Sequence, residues 1–219
     1  LFGSVGAVPF LDVTLKNCIV TNGTTTSTAI IVSDASIPGN SGYFDNFTLQ
    51  NNDIRKCYIG FYINAIEGEG TNVFVLDNKM NNTGASNLRN TGIYLQGVDN
   101  ATVAGNLIGN FVKTNAENDY GIWLASGCKT VNVYNNSIDN LGYNGSAGYG
   151  AKGIIVTTGM QDAEINIYNN LISNITGDGD DYTNAGYYGL GYNPAGIFMF
   201  TYQSGISVYH NSIYLSGNT

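Results

Sequence analysis

An internal repeat constrains this chain more than any other feature. One unit reads Gly121-Ile-Trp-Leu124 and then Val131-Asn-Val-Tyr-Asn-Asn-Ser-Ile138. The next reads Gly153-Ile-Ile-Val156 and Ile165-Asn-Ile-Tyr-Asn-Asn-Leu-Ile172, and the last Gly196-Ile-Phe-Met199 and Ile206-Ser-Val-Tyr-His-Asn-Ser-Ile213. Gly92 to Leu95 with Val103 to Ile108 fits the same frame, and weaker copies lie at Gly60 to Ile63 with Val73 to Met80, and Ala29 to Val32 with Phe47 to Ile54. The anchors Asn52, Asn78, Asn106, Asn136, Asn170 and Asn211 are 26, 28, 30, 34 and 41 residues apart, so the unit lengthens along the chain. A unit of this size cannot bury its own inner face and must stack on its neighbours, which predicts a solenoid with one unit per coil.

Within each unit apolar residues alternate with polar ones, a strand period, and Gly, Asn and Asp bound every segment. Composition agrees: 29 Gly and 31 Asn in 219 residues favour turns over helix interiors, while 43% hydrophobic content is too much for a disordered linker. The copy from Leu11 to Val20 is offset by one residue, which predicts an irregular or capping first coil over 1–27 ahead of regular coils over 28–219. The chain opens on Leu1 and its last strand follows directly on an Asn turn, so the single domain is expected to be a segment of a longer repeat array.

The Asn-Asn-x-Ile elements at 135–138 and 169–172, with the Gly-Ile openings at 92, 121, 153 and 196, resemble the right-handed parallel β-helix, or pectate-lyase-like, family. The resemblance covers roughly residues 28–215 and is specific for fold but not for activity. It implies an all-β right-handed parallel β-helix solenoid of about six to seven coils. It also implies that Asn52, Asn78, Asn106, Asn136, Asn170 and Asn211 stack as one turn column, where Asn tolerates the left-handed backbone.

Stacking turns each aligned position into a line of residues about 4.8 Å apart. Three inward columns are expected: Ile30, Phe61, Ile93, Ile122, Ile154 and Ile197; Val32, Ile63, Leu95, Leu124, Val156 and Met199; and Ile54, Met80, Ile108, Ile138, Ile172 and Ile213. The outward column between the first two is Ile31, Tyr62, Tyr94, Trp123, Ile155 and Phe198, all apolar or aromatic. Such a stripe is either a ligand or partner surface or a second small core under loops 139–152 and 173–195. Tyr134, Tyr168 and Tyr209 form another outward column, read as ladder packing.

The units lengthen through one connection, Gly109–Tyr120, then Asp139–Lys152, then Ser173–Ala195, so these loops should meet at one corner and supply a binding face. Tyr182 and Tyr188 extend the candidate ligand surface of Tyr62, Tyr94, Trp123 and Phe198. Asp178, Asp180 and Asp181 are candidate Ca²⁺ ligands, with Glu117, Asp119 and Asp139 from the coils beneath; the alternative is a solvated acidic loop. Relatives of this shape include lyases that pair a cation with an Arg or Lys base, and hydrolases that pair two carboxylates. Here Arg55 and Arg89 belong to early coils away from the acidic loop, leaving Asp139, Asp180, Asp181 and Lys152 as the candidate acid and base groups. His210 occupies the place of Asn135 and Asn169 and reads as a turn residue.

The net charge of −8, with no basic patch, disfavours nucleic acid, and no apolar run reaches the length of a spanning helix. Cys18, Cys57 and Cys128 suit no metal or disulfide framework and read as small buried or turn residues. Of seven Asn-x-Ser/Thr sequons, the one at Asn135 falls in the packed turn. The leading expectation is therefore a non-catalytic, extracellular or cell-surface module, without an assured cofactor, that binds glycans or surface proteins. A polysaccharide lyase or hydrolase at the loop corner is the alternative. A structural spacer or fibre subunit contacting neighbouring coils or subunits is the other.

Overall fold

The computed structural model describes residues 1–179 and 190–215. The chain forms a parallel β-solenoid of about six turns. Each turn contributes one strand to each of three sheets. Sheet I stacks Phe2–Ser4, Ile30–Asp34, the first part of Ile59–Leu76, Thr91–Gln96, Tyr120–Leu124, Lys152–Val156 and Ala195–Met199. Sheet II stacks Phe10–Lys16, Gly42–Gln50, the second part of Ile59–Leu76, Val98–Ala104, Lys129–Tyr134, Ile165–Tyr168 and Ile206–Tyr209. Sheet III runs from Ile19–Thr21 through Asp53–Arg55, Lys79–Met80, Leu107–Lys113, Ser137–Tyr143 and Leu171–Thr176 to Ser212–Tyr214. The 18-residue strand Ile59–Leu76 rounds a corner and joins sheets I and II.

The inward columns pair in the expected register, for example Phe61 with Ile93, Ile122 with Ile154, and Ile138 with Ile172. Sheet II adds two more, Phe47 to Ile206 and Leu49 to Val208, and members of all five are buried through the interior coils. The Gly-Ile openings have a steric cause. A Cβ on Gly92, Gly121 or Gly153 would lie 2.4–2.6 Å from the carbonyl oxygen of the next coil's glycine and 2.6–2.8 Å from an Ile Cγ2 of sheet III. Glycine here lets two sheets meet at a sharp edge, with ordinary backbone angles.

The Asn column forms as expected. In each interior coil the Asn backbone N–H and Nδ2 both donate to Oδ1 of the next Asn, as from Asn78 to Asn106 (3.0 and 3.0 Å) and from Asn106 to Asn136 (3.0 and 2.9 Å). The left-handed backbone, however, belongs to the residue before each column member: Asn17, Asn51, Asp77, Gly105, Asn135, Asn169 and His210 all have φ between 52° and 69°. The column Asn turns its amide inward to satisfy neighbouring coils, while its predecessor turns the corner. His210 is thus a turn residue, with φ 55°, and Asn135 is exposed rather than packed.

The first coil is not offset. Val13 pairs with Phe47 and Val20 with Ile54, and Cys18 takes the column position, its backbone N–H donating to Asn52 Oδ1 at 3.1 Å. A substitution of Cys for Asn produced the apparent one-residue shift.

Candidate functional site

The growing loops meet at one corner, but they are shorter than the sequence suggests. Residues 109–113, 139–143 and 173–176 continue the strands of sheet III, with Phe111 beside Leu141 and Leu141 beside Ile175, all buried. Asn110, Asn140 and Asn174 bend these extensions in the left-handed region (φ 62°, 58° and 51°). The loops proper start after Lys113, Tyr143 and Thr176. They are tied together by the Asn144 N–H to Lys113 O (2.6 Å), the Ala151 N–H to Thr176 O (3.2 Å), the Gly150 N–H to Asn118 Oδ1 (3.0 Å) and a Gly150–Gly177 bridge.

Two recesses open on this corner. One, of about 290 Å³, is lined by Val112, Asn140, Tyr143, Asn144, Gly145, Thr176, Gly177 and Asp178; the other, of about 360 Å³, by Ala116, Ala147, Tyr149 and Tyr192. Tyr143, Tyr149 and Tyr192 form an edge-to-face row across them, with centroids 5.6 Å apart at each step. The Tyr143 hydroxyl accepts the Ala147 N–H at 3.1 Å, which curls loop 144–151 around the ring. Asp178 is exposed and accepts the Gly148 N–H at 2.9 Å. The sequence hinted at this row only through the tyrosine content of the loops.

Beneath the row lies a buried ionic cluster. Asp119 is 2% exposed and its Oδ1 has no hydrogen-bond partner among the described residues; burial pushes its carboxyl well above the usual range. Lys113 Nζ is buried with no hydrogen-bond partner among the described residues, 5.5 Å from the Phe111 ring, and burial lowers its pKa. Lys152 is fully buried, donates to Asn118 Oδ1 (3.3 Å) and Gly150 O (3.2 Å), and is pushed down to about 8 by desolvation. Arg89 pairs with the first of the three connections: its Nε lies 2.8 Å from Glu117 Oε1, and its guanidinium lies over the Tyr58 ring, whose hydroxyl donates to Glu117. Arg55 instead pairs with Asp53. Asp119 and Lys152 are enclosed while Arg89 and Glu117 are half-buried, and the hydrogen bonds of Lys152 go to loop atoms.

Other candidate residues lie elsewhere. Asp139 sits on sheet III, where it accepts from Ser173 Oγ (2.7 Å) and Asn174 Nδ2 (2.8 Å). Asp180, Asp181, Tyr182 and Tyr188 lie outside the described residues. Among the described residues no cluster of His, Cys, Asp and Glu is arranged to hold a metal ion, and no helix is long and apolar enough to cross a membrane. Cys57 and Cys128 are buried, with thiols pushed up to about 12 by desolvation, so neither is a ready nucleophile.

The outward stripe is in register from Ile31 to Phe198 but is only partly open. Ile155 is buried and the other five are half-buried. Tyr62 and Tyr94 stack at 4.9 Å and 1° between planes, Trp123 meets Tyr94 edge-on at 5.2 Å, and Tyr120 covers Trp123 at 4.6 Å. Phe198 stacks on Phe200. The polar tips are engaged too: the Tyr62 hydroxyl donates to Gly39 O (3.0 Å), Tyr94 to Gln96 Oε1 (2.5 Å) and Trp123 Nε1 to Thr157 Oγ1 (2.8 Å). The ring faces of Tyr62 and Tyr94 are turned along the solenoid axis against each other, so the stripe presents mostly edges to solvent. Tyr134, Tyr168 and Tyr209 stack likewise, at 4.9 and 5.1 Å.

Comparison with protein-family models, with curated proteins and with solved structures finds no match. The parallel β-solenoid is therefore established by its own strand pairing.

Proposed function

We propose that this β-solenoid is a non-catalytic extracellular module that binds neutral glycans at the loop corner. The carrying observation is the pair of recesses lined by amides, backbone and one exposed carboxylate, with half-buried Tyr149 and Tyr192 at their rim and buried Tyr143 packed behind Tyr149. Pockets that recognise small ligands combine apolar or aromatic walls with a few placed polar groups, and these recesses are near the lower end of the usual size range. Sugars fit that chemistry, since their C–H faces lie on aromatic rings and their hydroxyls exchange hydrogen bonds with Asn140, Asn144 and Thr176. Asp178 in the same recess disfavours uronates by like-charge repulsion. The partly covered stripe of Tyr62, Tyr94, Trp123 and Phe198 supports the scaffold more than the ligand, because its ring faces are occupied. The enclosure of Lys152 and Asp119 supports binding over proton transfer at this corner, on a scaffold of pectate-lyase-like type.

The test is a glycan array followed by calorimetry with wild type, Tyr149→Ala and Trp123→Ala. Binding of neutral oligosaccharides that falls at least tenfold in Tyr149→Ala and persists in Trp123→Ala is the expected result. Equal binding by Tyr149→Ala and wild type would refute the corner as the site. Release of unsaturated or reducing ends from uronic-acid polymers, lost on Asp180 substitution, would replace binding with catalysis.

A further inference from the structure

The chain holds two Asn-Gly steps, Asn22-Gly23 and Asn144-Gly145, and the fold treats them in opposite ways. At such a step the glycine nitrogen can attack the side-chain amide carbon of the Asn, because no Cβ on the glycine hinders the approach. The attack needs an amide free to turn and a glycine N–H that is not engaged. Asn22 is held on both counts: its Nδ2 donates to Ser27 O (3.0 Å) and Thr28 O (3.3 Å), and its Oδ1 accepts the Gly23 N–H (3.1 Å). Asn144 is exposed, and among the described residues neither its side-chain amide nor the Gly145 N–H makes a hydrogen bond. Only its backbone N–H is tied, to Lys113 O at 2.6 Å.

The packing of the corner dictates this pairing of residues. Loop 144–151 curls around the buried Tyr143 ring, whose hydroxyl accepts the Ala147 N–H. A Cβ at position 145 would lie 2.3 Å from that hydroxyl oxygen and 2.4 Å from the ring carbon bearing it, so the curl requires glycine there. The other Asn of the same recess is protected: Asn140 precedes Leu141, and its Nδ2 donates to Asn110 Oδ1 at 3.1 Å.

We propose that Asn144-Gly145 is a site of spontaneous succinimide formation, which converts Asn144 to an acidic residue and closes the recess to neutral glycans as the protein ages. A bond forms between the Gly145 nitrogen and the Asn144 side-chain carbonyl carbon, the bond from that carbon to Nδ2 breaks, and ammonia leaves with the Gly145 amide proton. Water then opens the ring at either carbonyl, giving aspartate or isoaspartate. Either product replaces the Asn144 amide donors with a carboxylate in the recess that already holds Asp178. Two like charges there repel one another and bind water in place of a neutral ligand. Isoaspartate also lengthens the main chain between two anchors of the loop, the Asn144 N–H on Lys113 O and the Ala147 N–H on the Tyr143 hydroxyl. The effect on ligand rests on the glycan reading; the conversion does not.

The test incubates the native protein at mildly alkaline pH and body temperature and follows each Asn by peptide mapping with mass spectrometry, with a parallel sample in urea. The expected result is conversion at Asn144 about tenfold or more faster than at Asn22 in the folded protein, since the Asn22 hydrogen bonds must open first, and similar rates at the two steps in urea. Equal native rates, or faster conversion at Asn22, would overturn the inference. So would an Asn144 that stays intact in the folded protein while it converts in urea. Calorimetry with a neutral oligosaccharide bound by fresh protein reads the consequence: affinity should fall several-fold in aged protein and in fresh Asn144→Asp, whereas Asn144→Gln should not change on ageing, whatever its starting affinity. Equal binding by fresh wild type and Asn144→Asp would refute closure of the recess. The conversion rates are read whether or not a glycan binds, so failure of the glycan reading shows separately, as absence of binding by the fresh protein.

Discussion

Asn106 sits mid-ladder with 0% exposure, and truncating it to Ala measures what the column contributes. Its Oδ1 accepts the Asn78 N–H and Nδ2, and its Nδ2 donates to Val75 O, Ala104 O and Asn136 Oδ1, at distances from 2.9 to 3.1 Å. Asn106→Ala leaves the Asn78 N–H and the Val75 carbonyl without those partners in a dry interior, and leaves a cavity the size of an amide. Each stranded buried group costs about 1–3 kcal/mol, so the loss is roughly 3–5 kcal/mol. Asn211→Ala removes the same amide at the open end, where water reaches the stranded groups, and should cost only about 1 kcal/mol. Urea unfolding followed by circular dichroism gives both values, with unchanged m-values showing that the same surface is exposed. A loss below about 1 kcal/mol for Asn106→Ala, or equal losses at the two positions, would show that the column is incidental to stability.

Cys18→Asn should extend the ladder by one side-chain bond to Asn52 Oδ1 and raise stability by about 0.5–1.5 kcal/mol in the same unfolding assay. Gly121→Ala forces a methyl against Gly153 O at 2.4 Å and Ile138 Cγ2 at 2.8 Å, and should destabilise by about 1–3 kcal/mol; melting curves will show the shift. Asp119→Asn tests the buried carboxyl through pH. Because the folded-state pKa is raised, Asp119 favours the fold most below its unfolded value, near pH 4, and that contribution is lost as pH rises toward the folded value. The variant should match wild type near pH 4 and exceed it by about 1–3 kcal/mol at pH 9, and a pH-independent difference would contradict this.

Much of the scaffold is legible in the chain. The Gly-Ile and Asn-Asn-x-Ile elements give the coil register, the inward columns and the membership of the Asn column, because stacking repeats the same steric demand in every coil. The sequence does not distinguish the left-handed position from its neighbour, because Asn stands at both 135 and 136, and both 169 and 170; only the backbone separates a corner residue from an inward amide. The first coil looks offset in the sequence because Cys18 stands in place of the anchor amide while the backbone keeps its register. At the corner, Asn110, Asn140 and Asn174 bend strands that read as loop, since a lone Asn signals a turn equally well inside a bulged strand.

By itself the sequence determined the stacked architecture: a residue pattern repeated at a fixed position admits few solutions that bury its inner face. Tertiary structure decided which outward groups are available. It paired the Tyr62 and Tyr94 faces, enclosed Lys152 and Asp119, brought Arg89 to Glu117, and assembled the Tyr143–Tyr149–Tyr192 row from two loops of different coils. Those outcomes depend on loop lengths and side-chain directions; except for the Tyr143–Tyr149 step within one coil, they are contacts between residues about 28 to 43 positions apart, for which no local pattern exists.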